Sequence, residues 1–142
     1  MSDPRPRPTV SGVLETCLYA RDLDAAAMFY GQILGLDLVS QEDGRHVFFR
    51  CGEQMVLLFN PAATTDSDGT LPPHGAKGPG HVAFRVSEDD LKAWGRRLRE
   101  HGVEIEKEVA WGDAGRSIYV RDPAGNSVEL APAQIWPLDG TA

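Results

Sequence analysis

RHVFFRCGEQMVLLFNP (residues 45–61) has a counterpart later in the chain, RSIYVRDPAGNSVELAP (residues 116–132). The two stretches align without a gap at an offset of 71 residues, and this offset matches Phe48 with Tyr119. A chain that repeats itself in this way is built from copies of one supersecondary unit. The repeat therefore predicts two similar modules, and the rest of the sequence can be divided around them.

The repeat extends upstream into a predicted strand and helix. LETCLYARD aligns with GHVAFRVSE at an offset of 66 residues, which matches Glu15 with His81. Alternating residue types predict a strand at 14–20 in one copy and at 81–86 in the other, and apolar residues at helical spacing follow both. These helical residues are Leu23, Ala26, Ala27, Tyr30 and Leu34 in the first copy, and Leu91, Trp94 and Leu98 in the second.

The two copies are expected to fold together as one α+β domain. Each βαβββ module is about 50 residues long, which is too short to bury a core by itself. The predicted organisation is a flexible arm, one domain of two tandem modules with a Pro- and Gly-rich linker between them, and a tail. The boundaries are 1–11 for the arm, 12–61 for module one, 62–79 for the linker, 80–132 for module two and 133–142 for the tail.

Composition excludes several classes of protein. The 142 residues fit a single domain, and 42% hydrophobic with 25% charged residues is typical of a globular protein. A net charge of -7 argues against nucleic acid as a partner. Two cysteines are too few for a disulfide scaffold, and the sequence has neither a signal peptide nor a membrane-spanning apolar run. We therefore expect a cytoplasmic location.

Strand alternation predicts which side chains lie opposite the helices. In module two, Val82, Phe84 and Val86 are apolar and should pack on the helices, which leaves His81 on the other face. The 71-residue offset matches the last-strand residue Glu129 with Leu58. The same face is predicted to carry Glu15, Cys17, Tyr19, His46, Phe48 and Arg50 from module one, and His81, Ser117, Tyr119, Arg121 and Glu129 from module two.

Two carboxylates and one imidazole on this face form a candidate metal site. Glu15, His81 and Glu129 offer nitrogen and oxygen ligands, which suit a divalent ion such as Mn, Fe, Ni, Co or Zn. Three protein ligands leave positions where a substrate or water can bind. The same residues also allow a simpler interpretation, in which His81 is a hydrogen-bonded strand residue and Glu15 faces solvent.

Other residues on this face are candidates for binding a small-molecule substrate. Arg50 and Arg121, which the 71-residue offset matches, are suited to clamp an anionic group, although Arg121 also fits a surface position beside a turn. Tyr119 is a candidate proton donor or a wall of the site, and Glu129 is a second catalytic candidate. His74, in the linker, is either a lid residue or solvent-exposed. The predicted substrate-binding residues are Arg50, Arg121, Tyr119, Phe48 and Cys17.

The chain resembles the glyoxalase/bleomycin-resistance/extradiol-dioxygenase family, the vicinal oxygen chelate superfamily. The resemblance is carried by LETCLYARDLDAAAMFYGQILGLDL, by GHVAFRV and by SIYVRDPAGNSVELAP, and it covers residues 12–132. It implies that paired βαβββ modules form a cup-shaped mixed sheet with the helices outside and, commonly, a metal on the cup. A shared fold does not by itself imply a shared reaction.

The resemblance places the family's metal ligands on Glu15, His81 and Glu129. Two departures accompany it. Many members have His or Gln where this chain has Glu15. Glyoxalase I-type members also have a fourth ligand, usually Glu, at the end of module one, where the 71-residue offset puts Leu58. The second departure argues against lactoylglutathione lyase activity.

The resemblance leaves three functions open. The first is a metal-dependent enzyme that acts on a small oxygenated metabolite or xenobiotic as a lyase, isomerase, dioxygenase or resistance-type transferase. The second is a metal-free drug-binding protein of the bleomycin-resistance type, for which Tyr19, Phe48, Tyr119 and the acidic charge are the supporting features. The third is a regulatory module without ligand. In each case the resemblance implies a homodimer, with Glu15 of one chain completing the site of the other.

Overall fold

Each half of the chain forms one four-stranded mixed sheet, in a computed structural model that describes residues 6–66 and 71–138. The strand orders are β1-β4-β3-β2 and β5-β8-β7-β6, so the second sheet repeats the first. In each, the first strand lies at the sheet edge and runs parallel to the last strand, and the remaining pairs are antiparallel. The predicted α+β fold of two βαβββ modules is confirmed.

The elements of module one and its linker are β1 (Glu15–Tyr19), α1 (Leu23–Ala27), β2 (Asp37–Glu42), β3 (His46–Cys51), β4 (Gln54–Phe59) and α2 (Pro61–Thr64). Those of module two are β5 (His81–Arg85), α3 (Leu91–Glu100), β6 (Lys107–Ala110), β7 (Arg116–Arg121) and β8 (Ser127–Ala131). Within the described residues, none of these helices has the length and apolar character required to span a membrane.

The first helical segment changes its winding along its length. Asp22 caps α1 by accepting a hydrogen bond from the Ala25 amide, as its position suggests. A π-helical segment, Met28–Ile33, then replaces the single α-helix that the apolar spacing predicts. The wider turn lets the neighbouring residues Phe29 and Tyr30 both enter the core, at 2% and 0% exposure. Burial of two consecutive aromatic rings therefore outweighs regular α-helical hydrogen bonding here.

The match of Leu58 with Glu129 is wrong by one residue. Leu57 pairs with Phe48 across module one, and Glu129 pairs with Tyr119 across module two, so Leu57 is the structural counterpart of Glu129. The offset changes because the β7–β8 turn is one residue longer than the β3–β4 turn. Leu58 instead belongs to the core on the helix side and is fully buried.

One hydrophobic core spans both modules, and a buried polar network joins them. The Tyr30 hydroxyl donates to the Asp122 carboxylate at 2.7 Å, and the Asn126 amide donates to the Tyr19 carbonyl at 3.1 Å. Asn126 also accepts a hydrogen bond from the Gly80 amide at 2.8 Å. The β7–β8 turn of module two thus contacts a helix and a strand end of module one, next to the first residue of β5.

Candidate functional site

The face of each sheet that lies opposite the helices is called its open face here. On the open face of module two, the His81 Nε2 atom lies 3.4 Å from Glu129 Oε1. The Glu129 side chain is 7% exposed and that of His81 is 49% exposed. This juxtaposition follows from the parallel pairing of β5 with β8, in which Val82 and Phe84 face the core beside Val128 and Leu130. Alternation then turns His81 and Glu129 to the other side.

A second hydrogen bond fixes the orientation of the His81 ring. Its Nδ1 atom lies 3.1 Å from the Ser127 carbonyl oxygen. Because a carbonyl oxygen only accepts hydrogen bonds, Nδ1 carries the proton and, in the neutral ring, Nε2 presents its lone pair. Nε2 and the Glu129 carboxylate are then two acceptors that face each other. Such a pair is stabilised by a proton or a cation between the two atoms.

The Glu129 carboxylate has an unsatisfied atom. Its Oε2 is buried and has no hydrogen-bond partner among the described residues. An unsatisfied buried acceptor costs about 1–3 kcal/mol, and more when it is charged. Native structures retain few such groups, and a missing ion is one of the standard explanations. The buried oxygen therefore favours a ligand at this point.

The pair of residues fits a divalent metal ion. Nitrogen and oxygen ligands bind Zn²⁺ at about 2.0–2.2 Å, and atoms 3.4 Å apart can both reach one ion at such distances. The hydrogen bond from Nδ1 to a backbone carbonyl is the usual support for a metal-bound histidine. Among residues 6–66 and 71–138, no group of three or more His, Cys, Asp or Glu side chains forms a metal site. Glu15 lies on β1 of the other sheet, where it is exposed.

Tyr119 is the third member of the cluster around His81 and Glu129. It lies opposite Glu129 in the β7–β8 pairing, and its ring is stacked with that of His81 at a centroid distance of 6.2 Å. Burial raises the pKa of Tyr119, the Ser117 hydroxyl opposes this, and the Glu129 carboxylate adds to it. The phenol is therefore a hydrogen-bond donor at neutral pH.

Comparison with known proteins agrees with this architecture. Residues 12–130 match the model of the Glyoxalase/Bleomycin resistance protein/Dioxygenase superfamily. The chain belongs to this superfamily. It is 30% identical over 113 residues to the Glutathione transferase FosA of Serratia marcescens, a match that covers 80% of this chain and 74% of that protein.

Two further superfamily members illustrate the range of similar proteins. The Catechol-2,3-dioxygenase of Bacillus subtilis is 28% identical over 132 residues, which are 86% of this chain but only 42% of the dioxygenase. A crystal structure described as Lactoylglutathione lyase from Agrobacterium tumefaciens is 40% identical, with a TM-score of 0.87 over 91% of this chain and 98% of that one. That likeness stands against the sequence argument that the missing fourth ligand excludes lactoylglutathione lyase activity. In the structure, the residue that matches Glu129 is Leu57, which is apolar as Leu58 is and cannot bind a metal either.

The open face of module one is aromatic rather than acidic. The His46 ring stacks on Phe48 at a centroid distance of 3.9 Å, and Phe48 contacts Phe59 at 5.1 Å. His74 of the linker packs on Phe59 at 4.8 Å and forms a 2.7 Å hydrogen bond with the Tyr19 hydroxyl. The candidate lid residue therefore lies on this aromatic face, and its side chain is exposed.

His46 is already bonded at both ring nitrogens. Arg45 donates to Nδ1, so Nε2 carries the proton that is donated to Ser40 Oγ at 3.0 Å. Burial lowers the pKa of His46, the Arg45 guanidinium lowers it further, and Glu42 opposes them. A neutral, fully bonded imidazole is part of the aromatic surface and is not available as a metal ligand.

The remaining predicted site residues have other surroundings. Arg121 forms a two-pronged ion pair with Glu106, at 2.7 and 3.2 Å, and donates to the Gly125 carbonyl at 3.0 Å. Its guanidinium is therefore engaged within the protein. Arg50 is exposed at the end of β3. Cys17 is also exposed, and its thiol pKa is raised by partial burial and then by Glu15, so it is not an activated thiolate.

Three features of the site were missed at the sequence level. The first is the position of Phe59 on the open face. The 71-residue offset matched Phe59 with Leu130 and so assigned it to the helix side, because the register is shifted by one residue. The difference in turn length between CGEQ (51–54) and DPAGN (122–126) is the signal that would have revealed it. The support of His81 by the Ser127 carbonyl has no sequence signal, because it involves a backbone atom. The 2.8 Å hydrogen bond from the Trp111 indole N–H to the Ser117 hydroxyl was also missed, because it depends on the shape of a loop.

Proposed function

We propose that this chain is a metal-dependent enzyme of the superfamily that acts on a small oxygenated metabolite or xenobiotic. His81 and Glu129 are its metal ligands, for an ion such as Mn, Fe, Ni, Co or Zn. The proposal is carried by Glu129, whose Oε1 atom lies 3.4 Å from His81 Nε2 and whose buried Oε2 atom has no hydrogen-bond partner among the described residues. These atoms supply a negative charge and a nitrogen ligand at one point of the open face.

The roles of the side chains follow from their positions. A divalent ion bound by His81 and Glu129 would act as a Lewis acid towards an oxygen atom of the substrate. The Ser127 carbonyl keeps the His81 proton on Nδ1 and so leaves Nε2 free. Tyr119 directs a phenolic hydroxyl into the same space and is the candidate proton donor to a substrate oxygen. Arg121 is paired with Glu106, so neither Arg121 nor its counterpart Arg50 is assigned a role in substrate binding.

Glu15 is the proposed third ligand, contributed by a second copy of the chain. It lies on an edge strand of module one and is exposed, and the residues that lead into this strand are exposed and apolar. Val13 is 63% and Leu14 is 72% exposed. Association with a second copy in a homodimer would cover this apolar segment and bring Glu15 towards the other chain's His81 and Glu129.

The reaction catalysed is proposed to differ from that of lactoylglutathione lyase. Leu57, at the position that matches Glu129, cannot act as the extra carboxylate that the resemblance associates with that reaction. The 40% identity to the Agrobacterium tumefaciens structure favours the opposite conclusion. An assay with the hemithioacetal of methylglyoxal and glutathione decides between them. Turnover by the metal-loaded protein that is lost in Glu129→Gln would establish the lyase activity.

Metal binding is tested directly by calorimetry. Protein stripped with EDTA and titrated with Mn²⁺ or Zn²⁺ should bind one ion per chain. Removal of a metal ligand should weaken binding at least about tenfold, since loss of even a supporting group costs tenfold or more. The variants are Glu129→Gln and His81→Ala, and the matched controls are Glu104→Gln and His101→Ala, which change exposed residues of module two. Equal binding by all four variants would refute the proposal.

The role of Glu15 is tested by mixing two defective chains. Glu15→Gln and His81→Ala homodimers should each bind metal weakly. A mixed dimer that shares its sites across subunits has one site with both defects and one intact site. Refolding the two variants together should therefore restore tight binding at one site in each mixed dimer. Recovery of no tight site would assign Glu15 to the site of its own chain, and tight binding by the Glu15→Gln homodimer would assign it to no site.

The second candidate is a metal-free binding protein, and the aromatic open face of module one favours it. Phe48 and Tyr19 are half-buried and offer ring faces beside the buried Phe59, and the net charge of -7 favours a cationic ligand. Bleomycin is the probe that follows from the resemblance. Tight binding of metal-free bleomycin to EDTA-treated protein, unchanged in Glu129→Gln, would favour this function. A protein that binds neither metal nor bleomycin would fit the third possibility, a regulatory module.

A further inference from the structure

Trp111 is an exposed aromatic residue on the same face as the proposed metal ligands. It lies between β6 and β7, is 43% exposed, and donates its indole N–H to the Ser117 hydroxyl at 2.8 Å. Ser117 is fully buried, and it precedes Tyr119 by two residues on β7, which places both on the open face. Residues two apart on a strand are separated by about 7 Å. The indole of Trp111 is therefore anchored about 7 Å along β7 from Tyr119, whose ring stacks on that of His81.

The loop that carries Trp111 is held in one conformation. The Trp111 amide donates to the Gly115 carbonyl at 2.7 Å, and the Ala114 amide donates to the Trp111 carbonyl at 3.1 Å. Gly115 has a φ of 110°, and a β-carbon there would collide with the Glu88 carboxylate. That carboxylate accepts a hydrogen bond from the Arg116 amide at 3.2 Å. The indole is thus positioned before any ligand arrives.

A preorganised aromatic surface suits a planar ligand. Fixing a side chain in advance reduces the entropy lost on binding. An indole whose N–H is already bonded offers its apolar ring surface, and aromatic pairs are stabilised beyond simple burial. The Tyr119 and His81 rings are within 22° of parallel, so the open face around Glu129 already carries two aligned rings. Aliphatic substrates would make less use of such a surface.

We propose that Trp111 contacts the substrate and selects an aromatic or other planar group next to the oxygen atoms bound at His81 and Glu129. This inference rests on the proposed function, because it takes that pair as the reacting centre. It assigns Trp111 a role in specificity, whereas Ser117 and Gly115 are positioning residues that act through it.

The test compares two vicinal diols on the Mn²⁺-loaded protein by calorimetry. Catechol is planar and 1,2-propanediol is not. Wild-type protein should bind catechol more tightly. Trp111→Ala should weaken catechol binding about tenfold, which corresponds to the loss of one well-packed aromatic contact. Binding of propanediol should change less than about twofold. Trp111→Phe should recover most of the catechol affinity, and Trp136→Ala, which removes another exposed tryptophan, should have no effect.

Other outcomes overturn the inference. Equal binding of the two diols by wild-type protein would show that no planar group is selected. Catechol affinity unchanged in Trp111→Ala would remove Trp111 from the site. Conversion of Trp111→Ala to a different oligomeric state, measured by light scattering, would make Trp111 an interface residue. Mn²⁺ binding by Trp111→Ala should equal that of wild type, so failure of the inference is distinguishable from failure of the metal site, which would appear already in wild-type protein.

Discussion

The open faces of modules one and two have the same backbone architecture and different chemistry. Module one presents Phe48 and Leu57 at the positions where module two presents Tyr119 and Glu129. The two imidazoles at the first face are engaged, because both His46 nitrogens are bonded and His74 is bonded to a tyrosine hydroxyl. The second face retains a buried carboxylate oxygen for which the described part of the chain provides no hydrogen-bond partner.

This difference shows how a duplicated unit can divide its roles. Both sheets need the same helix-side core, and there the repeat is preserved. The open faces are free to diverge, since the fold does not depend on their polar residues. An unsatisfied group costs stability, so the retention of a buried carboxylate oxygen on the second face favours a function for that face. The following predictions test this contrast.

The largest expected effect tests the corrected register. Leu58→Ala should lower the free energy of unfolding by about 2–5 kcal/mol, because Leu58 is fully buried in the shared core. Leu130→Ala, its counterpart in module two, should cost a similar amount. Urea denaturation measures both. A smaller cost for Leu58→Ala than for Leu57→Ala would return Leu58 to the open face and restore the original offset.

The next prediction exchanges the chemistry of the two faces at one position. Glu129→Leu gives module two the residue type that module one has at Leu57. In metal-free protein it should raise the free energy of unfolding by about 1–3 kcal/mol, because it removes a buried carboxylate oxygen that has no partner within residues 6–66 and 71–138. Metal binding should be lost at the same time. Chemical denaturation in EDTA provides the measurement, with Glu104→Leu as the exposed control. A loss of stability would mean that Glu129 is satisfied without metal.

A pH effect is expected from the aromatic face of module one. The pKa of His46 is lower in the folded protein than in the unfolded chain, so protonation favours unfolding. The stability linked to His46 is therefore present above its ordinary pKa of about 6.5 and is lost as the pH falls below it. Denaturation midpoints measured from pH 7.5 to 5 should decline less in His46→Gln than in wild type. An equal decline in both proteins would contradict this, and His101→Gln is the exposed control.

The smallest effect concerns the matched arginines. Hydrogen bonding to Arg121 lowers the pKa of Glu106, so this carboxylate contributes stability above its ordinary pKa that is lost as the pH falls through the lowered value. The pair is exposed, and its contribution is small and sensitive to salt. Arg121→Gln should lower the thermal midpoint slightly at pH 7 and low salt, whereas Arg50→Gln should not. Equal effects at the two positions would remove the contrast between the modules here.

The sequence was sufficient for most of the fold because strand alternation and helical spacing are local signals. The placement of Val82 and Phe84 on the helix side is confirmed. The register at Leu58 was wrong, since an ungapped alignment cannot detect that one of two tight turns is longer. The π-helical segment Met28–Ile33 was also missed, because its cause is the burial of neighbouring rings in a core that both modules share.

The candidate site divides in the same way. His81 and Glu129 share a face because residue alternation along two paired strands requires it, and the sequence alone determined that much. Only the tertiary structure decided that Nδ1 of His81 meets a backbone carbonyl and that Arg121 is paired with Glu106. It also decided that one buried oxygen of Glu129 finds no partner among the residues that the structure describes. These features depend on distances between atoms far apart in the chain, which packing sets and a residue pattern does not record.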